Sequence, residues 1–170
     1  MILTACQSNT YSVKGEAKGM ADGTNLYLAT GLDDAQPLDT LTVMDGRFQL
    51  RGETDTTLLC RLYPADKPEV QALFFLEPGH IYIELSQVSR VSGTKVNNEW
   101  QALNDIVAQY DLRLRQIVGS SAKADSISTR KLYDEVSQLY DQLNSDIMQV
   151  AQRNEDNALG RFISTHYSGQ

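Results

Sequence analysis

Val43-Met44-Asp45-Gly46-Arg47-Phe48-Gln49-Leu50 decides how the first half of this chain is read. Asp-Gly between two short alternating runs is a hairpin signal. A type I′ turn needs positive φ at both central positions, and Asp and Gly tolerate it. Downstream of the turn Phe48 and Leu50 share one face, and upstream Leu41 and Val43 do the same. Period-two alternation of this kind marks a half-buried strand. The pattern extends both ways. Thr24 to Ala29 sets Leu26 and Leu28 on one side, and Leu58 to Tyr63 sets Cys60 with Leu58 and Leu62. Val70 to Leu76 is almost wholly apolar, as expected of a central strand covered on both sides. Glu77-Pro78-Gly79-His80 reads as a turn, Pro presetting φ and Gly accepting a positive φ. Then Ile81, Ile83 and Leu85 point inward while His80, Tyr82 and Glu84 point outward. Residues 11–94 are therefore expected to form an antiparallel β-sandwich.

From about Asn97 the period becomes helical. Leu103, Ile106, Val107, Tyr110, Leu114 and Ile117 form one stripe, with Asn97 or Asn98 as the expected N-cap. A second helix starts near Ser126 or Ser128 and carries Leu132, Val136, Leu139, Leu143, Ile147 and Val150. After a break at Asn154-Glu155-Asp156-Asn157, a short third helix runs through Leu159, Phe162 and Ile163. The expected fold class is α+β: an N-terminal antiparallel β-sandwich, two long helices and a short third helix. The expected organisation is a tether at 1–10, the sandwich at 11–94, and a helical segment at 95–167 packed on or beside it. The two stripes satisfy each other as an antiparallel pair or pack onto the sandwich. A coiled-coil dimer is the alternative, and the sequence leaves the oligomeric state open.

Composition narrows the function. The 170 residues carry 41% hydrophobic and 22% charged side chains, as in an ordinary globular protein. The net charge of −7 repels phosphate backbones, so nucleic acid is not an expected partner. No apolar run is long enough to span a bilayer.

The start of the chain bears on location. Leu3-Thr4-Ala5-Cys6 resembles a bacterial lipobox, in which Cys6 would be lipidated and the preceding peptide bond cut. Thr4 and Ala5 are slim, as a peptidase cleaving there requires, and the polar Gln7-Ser8-Asn9-Thr10 reads as a tether leaving a membrane. Only five residues precede Cys6, whereas a signal peptide has a basic stretch and an apolar core. Either the start of the leader has been trimmed, or the match is incidental and Cys6 is an ordinary thiol near the N-terminus; a lipobox is the expected reading. The expected location is the cell envelope, lipid-anchored, facing the periplasm or on the outer membrane.

No catalytic, metal or cofactor constellation is expected. Cys6 and Cys60 form no CxxC, and Cys60 is expected to be a buried hydrophobe rather than a reactive thiol. His80 and His166 lack metal-ligand spacing, and a lone His at a turn is ordinarily a surface residue. Asp33-Asp34 lacks the alternating acids of a calcium loop. Gly15, Gly19 and Gly23 recur without the strand–helix switch of a phosphate loop. Asp134-Glu135 falls on an exposed helix face. Tyr27, Tyr63 and Tyr82 are candidates for a sugar-stacking platform if they face outward, although strand Tyr is more often a packing residue.

Taken in order, several of these stretches resemble one family. They are Val13-Lys14-Gly15, Leu26-Tyr27-Leu28, Asp45-Gly46-Arg47-Phe48 with Gly52, Phe74 through Ile83, Val91 through Asn97, and Asn157 through Ile163. Together they resemble the uncharacterised domain that precedes the thioredoxin-like domain in Bacteroidetes TlpA-type thiol-disulfide oxidoreductase lipoproteins. That resemblance implies a non-catalytic accessory or interaction module, joined to a redox domain or recognising its client. The family's catalytic CxxC belongs to the thioredoxin-like domain, so no catalytic residue carries over to this sequence. A free-standing ligand- or glycan-binding envelope lipoprotein is the alternative.

Overall fold

The computed structural model describes residues 9–32, 37–120 and 126–167. The described residues fall into two compact units, divided between Trp100 and Gln101.

The first unit is the sandwich. Its strands are β1 (Thr10–Glu16), β2 (Asn25–Thr30), β3 (Asp39–Thr42), β4 (Arg47–Glu53), β5 (Leu58–Pro64), β6 (Ala72–Leu76), β7 (Gly79–Glu84) and β8 (Arg90–Ser92). One sheet has the order β4-β1-β7-β8 and the other β3-β2-β5-β6. The ladders are antiparallel except for β1 and β7, which run parallel. Val13, Phe48, Ile81, Ile83 and Val91 from the first sheet meet Leu26, Leu28, Leu41, Cys60, Leu62 and Phe74 from the second in one core. Burying each large member contributes about 1.5–3 kcal/mol. Leu50 is half-buried against this core, and Leu58, at the first position of its strand, stays 38% exposed.

The Asp45-Gly46 turn forms as read. Both residues have positive φ (51° and 68°), and Met44 and Arg47 exchange backbone hydrogen bonds of 2.9 Å. Its arms do not continue as a paired hairpin. They part into different sheets, because Leu41 pairs with Leu26 in one and Phe48 with Gly15 in the other.

Strand β6 corrects the expectation of a central strand. It lies at a sheet edge, yet it is covered on both sides. Its inner face is Ala72, Phe74 and Leu76, while its outer face carries Phe75, only 1% exposed. The free edge is closed by the start of α1 (Lys95–Ser120). Asn97 Oδ1 accepts from the Phe75 N–H at 2.8 Å, and Asn97 Nδ2 donates to the Phe75 carbonyl at 2.7 Å. Trp100 Nε1 donates to the Leu73 carbonyl at 2.8 Å, and its indole meets the Phe75 ring edge-on, centroids 5.9 Å apart. Covering an exposed edge in this way removes a template for strand addition. Asn97 is therefore not the N-cap. Thr94 occupies the cap position, its hydroxyl accepting from the Asn97 N–H at 3.4 Å, which leaves the Asn97 side chain for the strand.

In the second unit α1 continues from Gln101 and is followed by α2 (Ser126–Arg153) and α3 (Ala158–His166). The Tyr110 hydroxyl donates to Asp146 at 2.7 Å, and one turn on Arg113 reaches Glu135 at 3.7 Å. Later positions on α1 thus meet earlier ones on α2, as in an antiparallel pair. The two stripes are not uniformly covered. Ile147 and Val150 are buried, whereas Tyr110, Leu114, Leu132, Val136, Leu139 and Leu143 are half-buried. The break before α3 is built by two asparagines. Asn154 Nδ2 donates to the Val150 carbonyl at 2.9 Å, and Asn157 caps α3 by accepting from the Leu159 and Gly160 N–H groups.

Candidate functional site

The central strand β1 explains where a site forms. Its in-facing residues are Tyr11, Val13 and Gly15, so alternation turns Thr10, Ser12, Lys14 and Glu16 to the outer face. Its neighbours do the same. In register, Ser12 lies between Arg51 of β4 and His80 of β7, and Lys14 lies between Gln49 and Tyr82. The Thr10 position pairs with Glu53. The outer face thus becomes rows of polar side chains on a rigid floor.

The floor lies close because two glycines face aromatic rings across the β1–β4 ladder. Gly15 pairs with Phe48, and Gly52 pairs with Tyr11. A Cβ on Gly52 would stand 2.5 Å from the Tyr11 hydroxyl. Rings laid over glycines in this manner fill the surface that glycine leaves bare and pin the register.

A groove of about 1130 Å³ opens over this face, lined by Ser12, Lys14, Arg51, Glu53, Asp55 and His80 among others. Asn9 and Thr10 form its end, where Asn9 Nδ2 donates to Asp55 and the Thr54 N–H donates to the Asn9 carbonyl. The groove therefore opens beside the point at which the chain runs back toward Cys6.

His80 stands in the groove wall, but the other residues singled out from sequence do not gather there. Cys6 and the Asp33-Asp34 pair lie outside the described residues. Tyr27 and Tyr63 pair edge-on at 6.0 Å on the outer face of the second sheet, with the Arg61 guanidinium 4.6 Å above Tyr63. Tyr82 is on the first sheet, so the three tyrosines do not make one platform. Gly19 and Gly23 serve the turn after β1, at φ of 84° and 86°. Asp134 and Glu135 are exposed on α2. Among the described residues no three His, Cys, Asp or Glu side chains converge as metal ligands, and no helix is long and apolar enough to cross a membrane. Ser12, Lys14 and Arg51 were missed in the sequence, where only the alternation around Val13 hinted at two of them.

Residues 11–100 match a family described as a domain of unknown function, DUF4369, which is more than half of the 170-residue chain. This chain belongs to the DUF4369 family. No curated protein matches it. The matched span of the DUF4369 domain runs from Tyr11 in β1 to Trp100, the residue that closes the β6 edge.

Cys60 is inside the DUF4369 core at 0% exposure, opposite Phe74 on β6. Burial pushes its thiol up from 9.0 to about 12, against a smaller opposing effect of a backbone hydrogen bond from Leu76. A raised thiol pKa disfavours the thiolate, which is the reactive form. The linkage has a definite sign. Below pH 9 both states hold the proton. Between pH 9 and about 12 the unfolded thiol ionises while the folded one does not, so stability falls as pH rises. The loss attributable to Cys60 should reach about 4 kcal/mol at the top of that window. Denaturant titrations from pH 8 to 11 on wild type and Cys60→Ala test this, and parallel slopes would contradict it. In native protein the Cys60 thiol should take up a thiol reagent only once denaturant is added.

Proposed function

We propose that this DUF4369 chain is a non-catalytic binding module of a cell-envelope lipoprotein, standing N-terminal to a thioredoxin-like thiol-disulfide oxidoreductase domain. The observation that carries the reading is the position of the groove. It opens at the end of β1 from which the chain leads back to Cys6, only three residues before Asn9. At about 3.3–3.6 Å per extended residue, that stretch spans roughly 10 Å. A lipid on Cys6 would thus hold the groove close to the membrane surface. Several acyl chains, each buried CH₂ worth about 0.8 kcal/mol, make such anchoring stable where one chain is marginal. The sandwich offers rigid strands for binding, and its sulfur supports no redox cycle, since Cys60 is buried and kept as a thiol. The order of stretches from Val13 to Ile163 supports the link to the thioredoxin-like lipoproteins.

Expressed behind a full signal peptide, the protein should incorporate labelled palmitate, and Cys6→Ser should abolish the label and release the protein to the soluble fraction. Equal labelling of both forms would overturn the anchor. The purified 170-residue chain should not reduce insulin, and turnover there would overturn the non-catalytic reading.

A further inference from the structure

Ser12 has no evident structural reason to be polar. It is only 9% exposed, it lies on the outer face of the central strand, and its hydroxyl has no hydrogen-bond partner among the described residues. It forms the floor of the groove. Its hydroxyl is therefore open to the groove and can donate to whatever occupies it. Flanking it in the same row are the Arg51 guanidinium and the His80 imidazole, and one row on is Lys14. Among the described residues, neither Arg51 nor Lys14 makes an ion pair. Two cations without an ion-pair partner beside a hydroxyl open to the groove stand out on a chain of net charge −7.

We propose that this groove is an oxyanion site that takes a phosphate or carboxylate group. The Ser12 hydroxyl donates from the floor, Arg51 supplies the planar fork that suits two oxygens at once, the His80 ring supplies an N–H, and Lys14 adds a point charge. Glu53 and Asp55 stand at the tether end, where Asp55 already accepts from Asn9. They confine a single anionic group to the Ser12–Lys14 rows and repel a second one behind it, so the site suits one phosphate or carboxylate group rather than a polyanion. This names the ligand chemistry of the binding module proposed above. It rests on that reading for the use of the groove and not for the lipid anchor.

The test is an amide-resolved NMR titration of the 170-residue chain with inorganic phosphate and with glycerol phosphate. Saturable shifts are expected at Ser12, Arg51 and His80. Arg51→Gln should weaken them about tenfold, the usual effect of losing one charge-assisted hydrogen bond. Ser12→Ala should weaken them to a smaller extent. Arg47→Gln, at the far end of the same face, should leave them unchanged. All of these side chains but Ser12 are exposed, so the variants should keep the wild-type spectrum. Linear drift without saturation, or equal effects of Arg51→Gln and Arg47→Gln, would overturn the proposal. Sedimentation with phosphatidylcholine vesicles, with and without phosphatidylglycerol, separates the sources. Arg51-dependent binding to the anionic vesicles assigns the phosphate to a lipid headgroup. Glycerol phosphate saturation without vesicle binding assigns it to a soluble ligand. Palmitate labelling at Cys6 is indifferent to either result.

Discussion

Asn97→Ala is expected to destabilise the sandwich by about 3–4 kcal/mol, a large effect for one polar residue. The side chain is fully buried and acts as a strand surrogate. It donates to and accepts from Phe75, completing at the edge of β6 a ladder that no further strand extends among the described residues. Truncation removes two hydrogen bonds to the Phe75 backbone in a buried setting, each such loss costing roughly 1–3 kcal/mol. Nδ2 also donates to the Thr94 hydroxyl at 2.8 Å, so the first turn of α1 loosens as well. Asn97→Asp should be no better, because a carboxylate keeps the acceptor but sets a negative charge against the Phe75 carbonyl. Urea denaturation should show a lower midpoint for both variants, and Asn98→Ala, at an exposed neighbouring position, should lose much less. If the two alanine variants fell equally, the pairing with Phe75 would not be what secures this edge.

Gly15→Ala should cost about as much or more, for a different reason. A Cβ there would sit 2.2 Å from the Ile83 carbonyl oxygen and 2.3 Å from Cζ of Phe48. The first contact is to backbone, so it cannot be relieved by a side-chain rotation. Either the parallel β1–β7 ladder opens or the Phe48 ring leaves the core. Overpacking of a well-filled core typically costs about 1–3 kcal/mol, and a clash with backbone exceeds that. The expected outcome is a protein that unfolds well below the wild type in a thermal melt monitored by circular dichroism. Adding Phe48→Leu removes the ring but not the oxygen, so it should not restore stability. Recovery in the double variant would mean that the ring alone sets the limit.

Much of this architecture was legible locally. Leu26 with Leu28, Leu41 with Val43, and Ile81 with Ile83 faced inward as their alternation required, since a period of two leaves no other choice once one face is buried. The Asp45-Gly46 turn and the helices after Thr94 followed from φ preference and a change of period. The groove was not legible. Ser12, Arg51 and His80 lie far apart in sequence and meet only because β1 enters between β4 and β7. Alternation says which way a side chain points and nothing about which strand lies next to it.

The sequence by itself determined the α+β class, the inward faces of the strands and the burial of Cys60, because each depends on local periodicity and on removing apolar surface from water. Only the tertiary structure decided which sheet each strand joins. It sent the two arms of the Asp45-Gly46 turn apart, set β1 parallel to β7, and placed the apolar β6 at an edge. It also drew Asn97 away from capping its own helix. Each of these turns on non-local hydrogen bonds, whose partners are chosen by how the whole chain satisfies its buried donors and acceptors at once.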